Sequence, residues 1–218
     1  MHNTTILSKD FLKNGVVLLK QIINQKWIEE LRKGIEYNFN YPSKYKCVYE
    51  ENKGKEIFYD DYCNWNRIKE YKNFIFNSNI ANIAGSLMQS KKVNLFHEHV
   101  LIKERGSKKR TPWHQDQGYY CVNGKDNVSI WIPLDKVDIN SSMEFIKGSH
   151  KWNKTFLPTK FKGYDYDHKD KEFEKIPDIE NNRNKYDIVS YECDIGDAIA
   201  FNYGTIHSAY GNSSENKR

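Results

Sequence analysis

The pattern of hydrophobic and polar positions divides the chain into a helical front and a strand-rich body. In the front, residues 1–90, the segment NQKWIEELRKGIEYNF carries apolar side chains four residues apart, the spacing of one helix face. These apolar side chains are Trp27, Leu31, Ile35 and Phe39. IKEYKNFIF and NIANIAGSLMQ predict two further helices, and VVLLK predicts a buried strand. SKDFLKNG predicts a short helix that Ser8 caps and Gly15 ends.

From residue 91 the hydrophobic period changes to two, which is typical of strands. KVNLFHEHVLIKE alternates so that one face carries Val93, Leu95, His97, His99, Leu101 and Lys103. VSIWIPL, MEFI, YDIVSYEC and DAIAFNY predict shorter strands, separated by turn-forming residues. A charged stretch without a clear period, about residues 151–185, predicts a lid or loop. Helices followed by many short strands predict a mainly β fold with flanking helices, a jelly roll or barrel, in one domain spanning residues 1–218.

Composition narrows the classes of protein that this pattern fits. The net charge is +5, but the 34 Lys and Arg residues are interspersed with 29 Asp and Glu residues, so we expect no nucleic-acid partner. The cysteines Cys47, Cys63, Cys121 and Cys193 form no CxxC pair, which indicates reduced thiols and a cytoplasmic protein. No apolar signal core and no run near ~18 apolar residues occurs, so neither secretion nor membrane spanning is predicted.

Two His-x-Asp triplets are candidate metal ligands, and their surroundings differ. His168 and Asp170 lie in YDYDHKDKEF, where like charges crowd and no predicted strand supports them, so we interpret this triplet as a solvated loop. His114 and Asp116 lie in TPWHQDQGYY, which a strand precedes. In extended backbone, side chains two residues apart point to one side, so both can reach one ion. The sequence therefore favours His114 and Asp116.

A third ligand is available in His207, which follows the predicted strand GDAIAFNY. Two histidines and one carboxylate on one face of an octahedron leave three positions open, as in non-haem Fe(II) oxygenases. Lys103 lies eleven residues before His114, and Arg218 lies eleven residues after His207. Such cations can hold a dicarboxylate co-substrate, and Trp131 in SIWIPLD is placed to pack beside it.

The ordered segments HVLIKERG, TPWHQDQGYY, SIWIPLD, FIKGSHKW and GDAIAFNYGTIHSAYGN, followed by an arginine, resemble the phytanoyl-CoA dioxygenase family of Fe(II)/2-oxoglutarate oxygenases. The resemblance runs from about residue 8 to the end of the chain. It implies a double-stranded β-helix, the cupin-like jelly roll, and the cofactors Fe(II), 2-oxoglutarate and O2. By position it implies catalytic iron ligands at His114, Asp116 and His207, and 2-oxoglutarate contacts from Lys103, Trp131 and Arg218.

The chain departs from the family pattern in two turns and at its end. Lys147 stands where the family has proline before the Gly-Ser-His turn, and residues 140–142 read Asn-Ser-Ser where Asn-Gly is customary. The family continues beyond the arginine into a further core strand, whereas this sequence stops at Arg218. We expect either that the sequence is a fragment or that the last strand is missing. A missing strand would leave an unpaired edge beside the co-substrate site.

The resemblance implies 2-oxoglutarate-driven hydroxylation of an organic substrate, with release of succinate and CO2. His97, His99, Tyr119 and Tyr120 are the candidate substrate-binding residues, and their rings suit a small polar or cationic molecule better than a long acyl chain. Two alternatives stay open at the level of sequence. One is a catalytically silent jelly-roll binding protein, since a fold does not fix a function. The other is a hydroxylase acting on nucleic acid, suggested by the positive charge. The sequence does not predict an oligomeric state.

Overall fold

The computed structural model describes residues 2–51, 56–107, 110–158 and 173–212. Four helices precede or flank the sheets: α1 (His2–Asn14), α2 (Gln25–Asn40), α3 (Lys69–Asn77) and α4 (Ile80–Met88). The strands are β1 (Val16–Leu19), β2 (Cys47–Glu51), β3 (Glu56–Tyr62), β4 (His99–Lys103), β5 (Thr111–His114), β6 (Ser129–Trp131), β7 (Met143–Ile146), β8 (Ile188–Ser190), β9 (Ala198–Phe201) and β10 (His207–Ala209). Short 3-10 turns cover Asp116–Tyr119, Ile139–Ser141, Ser149–Lys151 and Glu180–Lys185.

The strands form three open antiparallel sheets. One has the order β1-β9-β6, the second β5-β10-β7-β8, and the third β2-β3-β4. The first two face each other across a core in which Phe145 and Ile199 are fully buried. Two sheets that share one apolar core are the arrangement of a jelly roll, and the prediction of a mainly β fold with flanking helices is confirmed.

The first helix is longer than predicted. It begins at His2, so Ser8 lies in its interior and the predicted N-cap at Ser8 is wrong. The Ser8 side chain is buried, and its hydroxyl donates to the carbonyl of Leu87 at the end of α4, 3.3 Å away. The predicted stop is confirmed: α1 ends at Asn14, and Gly15 follows with φ +77 and donates its N–H to Phe11.

The second helix has nearly the predicted extent, and three residues of the predicted stripe pack half-buried against core clusters: Trp27, Leu31 and Ile35. Asn24 caps it by accepting the N–H of Trp27. Its buried positions are Ile28, Gly34 and Asn38, whereas Phe39 is 47% exposed. The four-residue stripe drifts around the helix because an α-helix has 3.6 residues per turn. The predicted packed helix is therefore confirmed, and Phe39, the last residue of the stripe, is the exception.

The predicted strand over residues 92–104 is shorter in the structure. Only β4, His99–Lys103, is strand, and residues 91–98 run without regular structure before it. The sequence did not predict β2 and β3, which pair with each other. β3 also pairs with all five residues of β4. The helical front thus contributes two strands to a sheet whose third strand belongs to the body. Within the predicted lid, about residues 151–185, residues 159–172 lie outside the described residues.

Candidate metal centre and substrate cleft

Two neighbouring strands bring the two candidate histidines together. His114 ends β5 and His207 begins β10, and they are cross-strand partners in the antiparallel pair. Their ring centroids lie 4.1 Å apart. Asp116 opens the 3-10 turn that follows β5, two residues beyond His114. Residues separated by 93 positions in sequence are therefore fixed side by side by the ladder of one sheet.

The three side chains converge through one atom each. Oδ1 of Asp116 lies 3.9 Å from Nε2 of His114 and 3.7 Å from Nε2 of His207. One ligand atom from each residue lies within 4.8 Å of the others. Among the described residues, this is the group of His, Cys, Asp and Glu side chains that could hold a metal ion.

The remaining polar atoms of these side chains are occupied by the protein. Nδ1 of His114 lies 2.8 Å from the carbonyl of Pro112, and Nδ1 of His207 lies 2.9 Å from the carbonyl of Thr205. A carbonyl only accepts, so each Nδ1 carries the proton and each Nε2 presents a lone pair. The hydroxyl of Ser129 donates to Oδ2 of Asp116 at 2.8 Å, which leaves Oδ1 facing the two imidazoles. The donor set is thus already oriented for a metal ion.

Burial governs the protonation of this group. It lowers the pKa of both His114 and His207 to about 4, so both imidazoles are neutral near pH 7. Burial also raises the pKa of Asp116, while His114 and the hydrogen bond from Ser129 act in the opposite direction. Neutral imidazoles are the form that binds metals, and an ion placed between them would favour the charged carboxylate.

The three side chains lie in a cleft of about 1900 Å³. One wall is the β2-β3-β4 sheet, which contributes alternate residues of β2 and β3 and all of β4. Other lining residues come from α2, α3 and the segment that follows β5. This volume exceeds the ~300–1,000 Å³ of a typical small-molecule pocket. The cleft therefore has room for a co-substrate and a substrate together.

Residues 11–218 match the model of the phytanoyl-CoA dioxygenase family, PhyH. The chain belongs to the phytanoyl-CoA dioxygenase family. The match covers all but the first ten residues, and this family membership confirms the prediction of a non-haem Fe(II)/2-oxoglutarate-dependent oxygenase. No curated protein matches the sequence.

Solved structures agree with the fold of this family member. SnoK, a non-haem alpha ketoglutarate dependent carbocyclase from nogalamycin biosynthesis, has a TM-score of 0.76 and 17% identity, with 98% of this chain and 79% of SnoK covered. The epimerase SnoN, solved with Fe3+, alpha ketoglutarate and nogalamycin RO, has a TM-score of 0.76 and 19% identity over 100% of this chain and 80% of SnoN. EctD from S. alaskensis, solved with 2-oxoglutarate and 5-hydroxyectoine, has a TM-score of 0.71 and 17% identity over 97% of this chain and 71% of EctD. The double-stranded β-helix predicted from the sequence is confirmed.

Two of the three residues predicted to contact 2-oxoglutarate line the cleft of this dioxygenase. Lys103 is buried in β4, where its ammonium donates to Oγ1 of Thr111 at 3.2 Å and to the carbonyl of Tyr210 at 2.9 Å. Its charge is one of the influences that lower the pKa of His114, after burial and His207. Trp131 is half-buried in β6. Arg218 lies outside the described residues, as do His168 and Asp170 of the rejected triplet.

The predicted substrate residues also lie in the cleft, in two different settings. The ring of Tyr119 meets His114 edge-on at 5.7 Å, and Tyr120 contacts His97 in the same way at 5.1 Å. His97 is in the irregular segment before β4, whereas His99 is in the strand and its Nε2 contacts Oδ1 of Asp60.

Two polar residues of the cleft were missed by the sequence reasoning. Ser129 lies two residues before Trp131 on the same strand, so the rule that side chains two residues apart share a face could have found it. Asp60 lies in β3, a strand that was not predicted, and nothing in its local sequence marks it as a partner of His99. That pairing depends on how β3 and β4 align in the sheet.

Proposed function

We propose that this chain hydroxylates a small organic substrate, using Fe(II) held by His114, Asp116 and His207 and releasing succinate and CO2 from 2-oxoglutarate. The observation that carries the proposal is the convergence of Nε2, Oδ1 and Nε2 within 4.8 Å, with the other polar atom of each side chain held by the protein. Two imidazoles and one carboxylate on one side of an ion suit non-haem Fe(II).

The residues present fit this cofactor. The Nδ1 hydrogen bonds fix both imidazole rings, and the bond from Ser129 fixes the carboxylate, so little reorganisation is needed to bind an ion. Bound Fe(II) supplies oxygen activation and the oxidative decarboxylation of 2-oxoglutarate. The protein's own contribution is to orient the co-substrate and substrate and to limit the access of water to the buried His207 and the half-buried His114.

We assign the far carboxylate of 2-oxoglutarate to Lys103 and Arg218, with Trp131 packed beside the co-substrate. Lys103 supports this assignment because it is buried in the same cleft as the three candidate ligands and its charge reaches His114. An ammonium in a partly buried site forms a strong charge-assisted pair with a carboxylate. The Lys103 ammonium would reach 2-oxoglutarate from β4, in the wall formed by the β2-β3-β4 sheet.

The proposed substrate is a small polar or cationic molecule that contacts His97, His99, Tyr119 and Tyr120. The aromatic lining supports this class, because rings with polar edges accept both hydrogen bonds and cations. We propose a cytoplasmic location, which the absence of a CxxC pair supports. Within the described residues, no helix has the length and apolar character needed to cross a bilayer.

Metal titration of matched variants tests the ligand assignment. His114→Ala, Asp116→Ala and His207→Ala should each abolish high-affinity Fe(II) binding, because two ligands make a poor facial site. His168→Ala is the matched control and should bind Fe(II) like the parent chain. Equal loss in His168→Ala and His114→Ala would show that the wrong triplet was chosen. No binding by the parent chain would support a catalytically silent protein.

Succinate release tests the reaction. With Fe(II) and 2-oxoglutarate, the chain should release succinate in the presence of members of a panel of small amines and amino-acid derivatives. Lys103→Met should raise the 2-oxoglutarate concentration needed by about tenfold or more while leaving Fe(II) affinity nearly unchanged. Turnover of phytanoyl-CoA with none of the small compounds turned over would overturn the substrate class, and turnover of DNA or RNA would favour a nucleic-acid hydroxylase.

A further inference from the structure

The wall of the cleft opposite the jelly-roll core is the β2-β3-β4 sheet, and its register decides which side chains meet. Tyr62 pairs with His99, Asp60 with Leu101, and Phe58 with Lys103. Side chains of paired residues lie on the same face, so these three pairs all line the cleft. Asp60 and His99 are diagonal neighbours on this face, within reach of each other.

Asp60 and His99 form a polar pair in this wall. Asp60 is buried, and its Oδ1 contacts Nε2 of His99. In the neutral tautomer that donates Nε2–H to the carboxylate, Nδ1 of His99 is an acceptor. Within the described parts of the chain, neither this Nδ1 nor Oδ2 of Asp60 has a hydrogen-bond partner. Oδ2 of Asp60 is thus available to a donor from a ligand, and in that tautomer Nδ1 of His99 is a second acceptor.

Aromatic rings surround this pair. Tyr62 meets the ring of His99 edge-on at 5.5 Å and is stacked on Tyr45 at 4.9 Å. The ring centroid of His97 lies 6.1 Å from that of His99 and 5.1 Å from that of Tyr120. Ring faces attract cations, and the attraction grows where water is excluded.

The charge of the cleft has the opposite sign to that of the chain. Six of the described residues that line it are Asp or Glu, and three are cationic: Arg32, Lys92 and Lys103. The chain as a whole has a net charge of +5. Of these cations, Arg32 is near Asp135, and Lys103 is hydrogen-bonded to Thr111 and Tyr210. A cleft with this balance attracts positively charged molecules.

We propose that Asp60 and His99 anchor a protonated amine of the substrate, so that the enzyme selects organic ammonium compounds over neutral analogues. An ammonium group has three donors and no acceptor, which complements two adjacent acceptors better than a hydroxyl does. Asp60 and His99 line the same cleft as the three candidate metal ligands, so the anchor shares the space in which a substrate would meet the metal. This assignment rests on the proposed function, because it defines what that site holds for oxidation.

Binding of matched probes without iron tests the anchor separately from catalysis. Protonated benzylamine and benzyl alcohol have the same ring and differ in the charged group, and saturation-transfer NMR detects weak binding of either. The parent chain should bind benzylamine about tenfold more tightly than benzyl alcohol, the order of effect of one charge-assisted hydrogen bond. Asp60→Asn should remove this preference. His99→Gln, at a more exposed position, should weaken it in the same direction and guards against misfolding of Asp60→Asn.

Asp126→Asn is the matched control, since Asp126 is an exposed carboxylate of the same cleft outside the pair. It should keep the preference for benzylamine. Equal binding of the two probes, no binding of benzylamine, or an equal loss in Asp126→Asn and Asp60→Asn would each overturn the proposal. Fe(II) affinity measured on the same samples separates the two hypotheses: intact probe selectivity without metal binding would contradict the proposed function and leave the anchor in place.

Discussion

The hydrogen bond from Ser129 to Asp116 is the contact whose removal tests most sharply whether the candidate metal centre is pre-organised. Ser129→Ala deletes one hydroxyl from β6 and leaves all three proposed ligands present. In the structure the hydroxyl lies 2.8 Å from Oδ2 of Asp116, the oxygen that does not face the imidazoles. Without this hydrogen bond the carboxylate can rotate, so part of the free energy of ion binding goes into ordering the carboxylate.

The expected loss follows from the kind of bond. A hydrogen bond to a charged group contributes about 1.5–3 kcal/mol, which corresponds to roughly ten- to a hundredfold in affinity. Removal of an outer partner of a metal ligand has effects of the same size, about 10–100-fold. We therefore expect Ser129→Ala to weaken binding of Co(II), a spectroscopic substitute for Fe(II), by at least about tenfold. The dissociation constant can be measured by absorbance titration without oxygen.

Ser190→Ala is the control for this experiment. Ser190 is a half-buried strand serine whose hydroxyl donates to the carbonyl of Met143 at 2.7 Å, and it does not line the cleft. Its removal should reduce stability slightly and leave Co(II) affinity unchanged. An unchanged affinity in Ser129→Ala, or an equal loss in both variants, would refute the argument that this hydrogen bond orients Asp116.

Two further predictions concern stability. Gly15→Ala should lower the free energy of unfolding, measured by urea titration, by about 2 kcal/mol or more, because a Cβ at φ +77 would collide with the His150 ring and the Thr205 hydroxyl. Gly106→Ala, at φ +80 with open space around it, is the control and should lower the free energy of unfolding by less. Equal losses in the two variants would contradict the steric explanation. Burial raises the pKa of Asp61, but hydrogen bonds from Ser43 and Asn38 outweigh burial and lower this pKa to about 2. The Asp61 carboxylate therefore stabilises the fold by about 2 kcal/mol at most. This contribution is present above about pH 4 and is lost as the pH falls toward 2. Asp61→Asn should flatten the fall in unfolding free energy over this range, and an unchanged acid dependence would contradict the role of Asp61.

The sequence predicted the candidate metal residues because their signal is local or depends on chain order. His114 and Asp116 are two positions apart after a strand, so extended geometry alone places them on one side. His207 follows the strand β9, whose hydrophobic run is unambiguous, and four of its residues are buried. What the pattern could not supply was the register of β5 and β10, which brings His114 opposite His207.

The errors have a common physical origin in contacts between distant segments. β2 and β3 lack the alternation of apolar and polar residues that identifies a strand. One of their faces lines the cleft, so polar residues such as Asp60 stand where a core-facing strand would have apolar ones. Ser8 has the residue type of a helix cap but lies inside α1, where its hydroxyl reaches Leu87 of α4. Local preference is a weak guide where a tertiary contact supplies the hydrogen bond.

The candidate metal site is held in place from both faces of the sheet that carries it. Trp113 and Ser208, the neighbours of His114 and His207, point to the opposite side of their strands. There the Trp113 indole donates to Glu180, and the Ser208 hydroxyl accepts from Arg110, which is paired at 2.6 Å with Glu144 on β7. The strands β5 and β10, which carry the candidate ligands His114 and His207, are thus held on their opposite face by a charged network as well as by their ladder. A site whose ligands sit on strands fixed in this way keeps its geometry better than one built on loops.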